Sequence, residues 1–159
     1  MTTTTRYDHI GNGWHFPFRF TQTGGVAVQR SDTDDEALEL VRQAIIVVVG
    51  TREQSRKMVR GFGSPLFQAL FSPNDPGALE GIFAFRITEA VRRWEARARN
   101  FTISFRAETQ ERQAGQLFVN ARYTLADRQV SGNFVLPFIL ADDGRLQFQD
   151  VTLLTSPVV

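Results

Sequence analysis

The stretch Asp75–Phe105, DPGALEGIFAFRITEAVRRWEARARNFTISF, changes its hydrophobic period part-way along, and that change decides the fold class. Asp75 followed by Pro76 is the favoured order at a helix start. The carboxylate can accept from free amides of the first turn, and proline there lacks only an N–H that would have no helical partner. Leu79, Ile82, Phe83, Ile87, Ala90, Val91 and Trp94 then recur at helical spacing and form one apolar face. At about 100° per residue, Arg86 and Arg93 fall within or beside that face, and Arg97 joins the line if the helix persists. Glu89, four residues before Arg93, has the favourable orientation for a pair, while Phe85 points to the polar side. The arginines read either as side chains snorkelling at the core edge or as a partner contact. After Asn100 the period drops to two, with Phe101, Ile103 and Phe105 alternating as in a strand with one buried face.

Downstream the alternation continues. Leu117, Val119, Ala121, Tyr123 and Leu125 make a second strand after a turn at Gln110–Gly115. Val130–Leu140 makes a third, apolar on both phases at Phe134–Phe138. Pro137 cannot donate to a ladder, so its strand should have an open side there. Asp143-Gly144 offers a hairpin turn into Leu146, Phe148 and Val151.

Upstream, Thr33 followed by Glu36 spells a capping box, with acids placed at the positive end of a helix. Leu38, Val41, Ile45 and Val48 share one helical face, Ile45–Val49 is apolar all round, and Gly50 is a stop. Residues 51–74 lack a strong period: Gly61-Phe62-Gly63 and Ser64-Pro65 imply a tight backbone path, and Leu66–Phe71 a short helical turn. Before the first helix, Phe16, Phe18 and Phe20 and then Val26 and Val28 alternate around Gly24-Gly25, as two extended segments joined by a turn, with Pro17 favouring an edge position. The fold class is therefore α+β: two main helices followed by an antiparallel β-meander, with extended N- and C-terminal segments. Residues 1–12 read as a flexible arm, 13–140 as a single domain and 141–159 as a C-terminal β extension.

Composition narrows the function. An apolar fraction of 42% suits a packed domain, and a formal net charge of +1 gives no bulk attraction to nucleic acid or membranes. With no cysteine there are no disulfides or thiolate metal sites, and His9 and His15 stand apart from any acidic cluster. No segment has the length of a membrane helix and Met1–Arg6 lacks a signal peptide's apolar core, which points to cytoplasmic synthesis and folding. Gly61–Pro65 is not a nucleophile elbow, and no phosphate loop or dinucleotide fingerprint is present. Seven scattered glutamates, from Glu36 to Glu108, supply only generic carboxylates, from which Glu53 with Glu95 would be the pair for a hydrolase. Neither a catalytic, cofactor nor metal site is expected.

Several landmarks, in order, resemble the baseplate wedge or sheath-initiator family of contractile injection machines, found in phage tails, type VI secretion systems and extracellular particles. Gly13-Trp14-His15-Phe16-Pro17-Phe18 is similar to the family's glycine-x-x-Phe-Pro opening. Arg56-Lys57-Met58 through Phe62-Gly63-Ser64-Pro65-Leu66 resembles a Gly-Glu-Arg-x-Met pattern followed by aromatic-Gly-x-x-Leu. Phe71-Ser72-Pro73-Asn74 matches a Phe-x-Pro-Asn step, Trp94-Glu95-Ala96-Arg97 an aromatic-Glu-Pro-Arg motif, and Asn133–Leu140 a closing Pro-Phe-x-Leu strand. Gln54-Ser55 stands where Gly-Glu is expected, and Ala96 where proline is. The resemblance covers about residues 13–140 and implies a non-enzymatic assembly protein, present in many copies. Its expected partners are wedge proteins, the sheath protein and an inner tube or hub, within a particle that can be released from the cell. It singles out Arg56, Gly63, Trp94, Glu95, Arg97, Phe134, Pro137 and Phe138 as partner-binding or structural residues, to which the helical projection adds Arg86 and Arg93. Glu95 and Arg97 either pair with each other or reach a partner. The runner-up is a lysozyme-like peptidoglycan hydrolase.

Overall fold

The structure is a computed structural model that describes residues 7–15, 18–65, 76–106, 116–126, 130–140 and 146–148. Its elements are β1 (Gly13–Trp14), β2 (Val28–Gln29), α1 (Asp34–Gly50), α2 (Pro76–Trp94), β3 (Ala98–Arg106), β4 (Gln116–Leu125), β5 (Ser131–Leu140) and β6 (Leu146–Phe148). The helix cap at Asp75, the turn within 66–71, the two hairpin turns, Phe16-Pro17 and most of 141–159 lie outside the described residues.

Helix α1 begins as its capping box requires. Thr33 Oγ1 accepts from the Glu36 amide at 3.3 Å, and Glu36 Oε2 accepts from the Thr33 and Asp32 amides at 3.2 and 3.0 Å. Asp34, Asp35 and Glu36 place negative charge at the positive helix end. At the other end the Thr51 amide and hydroxyl both donate to the Val47 carbonyl, at 3.1 and 2.6 Å. Ala37, Leu40, Val41, Ile45, Val48 and Val49 are buried, and on α2 so are Phe83, Ile87, Ala90 and Val91. Phe85 is 65% exposed, on the polar side where its angle puts it.

The larger sheet runs β3-β4-β5-β6, antiparallel throughout. Its register stacks inward residues in rungs: Phe105–Val119–Leu136, Ile103–Ala121–Phe134 and, on β4 and β5, Tyr123–Gly132. Small residues opposite large ones keep the rungs level, and this face packs with α1 and α2 into one core. Gly132 has a definite reason: a Cβ there would stand 2.9 Å from the Tyr123 ring and 3.0 Å from Leu38. Without it Tyr123 lies across the strand and donates to the Leu38 carbonyl of α1 at 2.7 Å.

The two outer sides of the sheet differ. On β3, three steps from Arg99 to Thr102 oppose two on β4, so an extra residue bulges at Asn100, whose φ is +48°. Asn100 Nδ2 donates to Thr124 Oγ1, and Thr124 Oγ1 donates to the Arg99 carbonyl, both at 3.0 Å. β5 pairs with β4 in unbroken register from Ser131 to Ile139, whereas β6 meets only Phe138–Leu140. Among the described residues, Pro137 thus has a strand on one side alone, as its missing donor requires.

Of the segment read as an arm, residues 1–6 lie outside the described residues, and residues 7–12 depart from that reading. Tyr7 is 0% exposed and Ile10 also lies in the core, with the Tyr7 hydroxyl donating to the Asp34 carboxylate at the start of α1. A single anchoring turn contains too few residues to show a hydrophobic period, and so it is silent in sequence. Beyond it, β1 and β2 pair Trp14 with Val28, and Phe20 bridges Val26 around the turn at Thr21–Gly25. Gly13 and His15 face α1, while Trp14, Phe18, Phe20, Val26 and Val28 leave an apolar outer face exposed.

Candidate partner-binding site

The turn from α2 into β3 is built around two charged side chains. The Glu95 amide donates to Val91 O at 2.8 Å, ending the helix, and the Ala98 amide donates back to Glu95 O at 3.2 Å. This folds the Glu95 side chain inward, to 5% exposure. Arg97 then closes on it as a fork: Nε to Oε1 and Nη2 to Oε2, both 2.6 Å, with the Arg97 amide a third donor at 3.2 Å. The remaining terminal nitrogen, Nη1, donates to the Ile10 carbonyl at 3.0 Å, and the Arg97 carbonyl accepts from Ala126 at 2.8 Å. Four parts of the chain therefore meet at this corner: the N-terminal turn, α2, β3 and the end of β4. The hydrogen bonds from Arg97 to Glu95 raise the guanidinium's pKa against the opposing effect of burial, so it stays cationic. The pair is internal. Arg97 does not extend the line of Arg86 and Arg93, because the helix that would carry it there ends at Trp94.

The neighbouring loop, residues 51–65, takes its path from Gly63. Gly63 has φ +111°, and a Cβ on it would come within 2.3 Å of the Thr51 carbonyl oxygen. That close approach allows the Ser64 amide to donate to Thr51 O at 2.8 Å and the Glu53 amide to donate to Ser64 O at 3.3 Å. Gln54, at φ +69°, occupies a left-handed conformation that a non-glycine residue adopts at a cost. It is the position where the family pattern has glycine.

On this frame the loop lays aromatic and cationic groups in a row against the end of α2. The Arg56 guanidinium sits 4.0 Å over the Phe62 ring, Phe62 and Trp94 have centroids 5.3 Å apart, and the Arg93 guanidinium lies 5.3 Å from the Trp94 centroid. Gly61 lets the two segments meet, since its Cβ position is 3.6 Å from Arg93 Nη2 and 3.7 Å from Trp94. Arg56, Arg86 and Arg93 are exposed. Of the other expected site residues, Phe138 is buried in the core and Phe134 packs edge-on to Tyr123 at 6.0 Å, both as supports of the sheet, while Pro137 is in register with Phe118.

A third polar group lies on α1. Arg42 Nε and Nη2 donate to Glu39 at 2.7 and 2.6 Å, and Gln43 Nε2 donates at 2.8 Å. Burial alone would raise the Glu39 pKa, but these hydrogen bonds, with the charge of Arg42, bring it below the ordinary carboxylate value. Tyr123 is pushed up, chiefly by burial and next by the charge of Glu39.

Sequence reasoning did not find the Tyr7 anchor, the Tyr123–Gly132 fit or Phe62 as the ring between two cations. A glycine inside an alternating strand was the available signal for the second; contacts across 85 residues, as from Tyr123 to Leu38, have no local signature. Of the Glu53 and Glu95 pair, Glu95 has both oxygens engaged by Arg97. Among the described residues no group of three potential metal ligands occurs, and no helix is long and apolar enough to cross a membrane.

Known proteins share this fold. A protein from Geobacter sulfurreducens, provisionally described as a tail lysozyme, is 26% identical, with TM-score 0.56 over 67% of this chain and 93% of its own. A chain of the six-fold anti-feeding prophage baseplate is 25% identical, with TM-score 0.54 over 79% and 83%. A chain of the type VI secretion system baseplate complex, at 13% identity and TM-score 0.54 over 74% and 98%, shares the fold. A search of curated proteins finds no match. The profile of the baseplate wedge protein gp25 family, a family of structural baseplate components, matches residues 35–130, from the first turn of α1 to the start of β5. The chain belongs to the baseplate wedge protein gp25 family.

Proposed function

We propose that this protein is a non-enzymatic baseplate component that links the wedge to the first sheath ring and starts sheath assembly by strand addition. The family match across both helices and the first two strands of the sheet carries the reading. Strand addition is supported by the far side of β5, where β6 meets only Phe138–Leu140 and leaves main-chain donors and acceptors of Ser131–Pro137 without a described strand. An incoming strand would gain ladder hydrogen bonds there, with alternate side chains setting register. In this role the Glu95–Arg97 corner fixes the direction in which the sheet leaves α2. The protein acts in multiple copies, assembled in the cytoplasm with wedge and sheath proteins and an inner tube or hub, and ends in a tail-like particle.

Incubating the full chain with its sheath subunit and wedge proteins tests this, alongside truncations lacking residues 1–12 or 141–159. Wild type should bind and seed sheath polymerisation, and a truncation should weaken it; a chain that neither binds nor alters assembly overturns the reading. The hydrolase alternative draws on the name of the Geobacter relative, and the commitment of Glu95 to Arg97 speaks against it. Cell-wall turbidity should not clear with wild type; clearing that Glu53→Gln or Glu95→Gln removes would reverse the ranking.

A further inference from the structure

Residues 51–65 and 86–94 hold seven basic and two acidic side chains, a net +5 in a chain whose formal total is +1. Much of the chain's positive excess is thus gathered on two segments, which the Phe62–Trp94 contact joins into one surface. Arg56, Lys57, Arg60, Arg86 and Arg93 are all exposed, and among the described residues none of these five is paired with a carboxylate. Arg86 stands seven residues before Arg93, on nearly the same side of α2. Two of the guanidiniums lie over rings, Arg56 at 4.0 Å from the Phe62 centroid and Arg93 at 5.3 Å from that of Trp94, contacts that cost them rotamer freedom before any partner arrives.

We infer that this surface docks an acidic polypeptide segment of a baseplate wedge protein, whose Asp and Glu carboxylates pair with the stacked Arg56 and Arg93. The inference rests on the baseplate reading above and adds the chemistry of the partner. Exposed planar guanidiniums, already restrained by their rings, match carboxylates two hydrogen bonds at a time. Nucleic acid fits less well. Phe62 and Trp94 each already carry a cation on one face and pack against each other, so no ring stands as an open platform for bases, and Glu53 and Glu89 interrupt any continuous phosphate track. Met58, 96% exposed in the same loop, supplies an adaptable apolar contact beside the charges.

The test uses the full-length chain and three fluorescein-labelled probes: a ten-residue glutamate peptide, a ten-residue Gly-Ser peptide and a ten-nucleotide thymidine strand. The glutamate peptide should bind, more weakly as salt rises, and the Gly-Ser peptide should not. Arg56→Ala with Arg93→Ala should weaken binding about tenfold or more, whereas Arg19→Ala with Arg30→Ala, equal in charge removed but outside this surface, should change it little. Phe62→Leu, which keeps every charge, should also weaken binding because it frees Arg56. Equal loss from both arginine pairs, tighter binding of the thymidine strand, or no binding of the glutamate peptide overturns the inference. Circular dichroism confirms that each variant is folded. Capture of wedge proteins separates the two levels: capture by wild type and equally by the Arg56/Arg93 variant sinks this inference and leaves the baseplate role standing, whereas no capture by wild type removes the role itself, with the peptide binding then deciding the surface chemistry.

Discussion

Two arginine groups lie within a few residues of each other and do opposite things. Arg97 is folded into a turn, its guanidinium shared between Glu95 and the Ile10 carbonyl. Arg93, four positions earlier, lies over a tryptophan ring and is exposed, and Arg56 repeats that arrangement on Phe62. The difference comes from where α2 stops. Up to Trp94 the helix presents Arg86 and Arg93 along one side; after it, the chain turns and brings Arg97 in. An arginine paired inside holds the fold, and an arginine propped on a ring is free to recognise something else.

That contrast can be broken by experiment, and the largest effect should come from the inner group. Arg97→Ala leaves Glu95 buried beside an empty space, and urea unfolding should show a loss of about 3–5 kcal/mol. Gly63→Ala should cost about 3 kcal/mol through backbone clash and an unfavourable φ, and it should disturb the outer group too, since Gly63 sets the path that places Phe62. Tyr123→Phe, which removes one buried hydrogen bond to α1, should lose about 1 kcal/mol. Arg56→Ala or Arg93→Ala, by contrast, should lower stability by only about 0.5–1 kcal/mol. Destabilisation by either as large as that of Arg97→Ala would erase the distinction. The smallest effect is acidic. Glu39 has a folded pKa below its unfolded value, so its stabilisation is full above the ordinary carboxylate range and is lost as pH falls through the folded value. Because the Glu39–Arg42 pair is partly exposed, the loss should be under about 1 kcal/mol, and Glu39→Gln should flatten it in pH-dependent unfolding.

Much of the architecture could be read before any coordinates. The capping box at Thr33, the faces of both helices and the alternation in β3, β4 and β5 are local patterns, each written within a few turns or one strand. The arginine line failed at its last member because an angular projection carries no notice of where a helix ends; Ala96 itself does not forbid another turn, and the break is made by Glu95 finding partners inside. Tyr7 was missed because one turn has no period. Gln54 is instructive in the other direction: the family pattern has glycine there, and the φ of +69° explains why. Gln54→Gly should therefore be tolerated or stabilising, relieving a conformation that costs a non-glycine residue about 1–2 kcal/mol while adding unfolded-state entropy. The stretch of β5 that has no second partner among the described residues was signalled by Pro137, whereas the bulge on β3 was not, since Asn100 looked like an ordinary boundary residue.

That bulge gives the sheet a valence. Around Asn100 this edge does not present evenly spaced donors and acceptors, so a strand added there would lose register at the bulge. The opposite side keeps its regular spacing along Ser131–Pro137. Among the described residues the two margins of the sheet therefore differ, and in the proposed role an added strand would be received along β5 and not at the bulged end of β3.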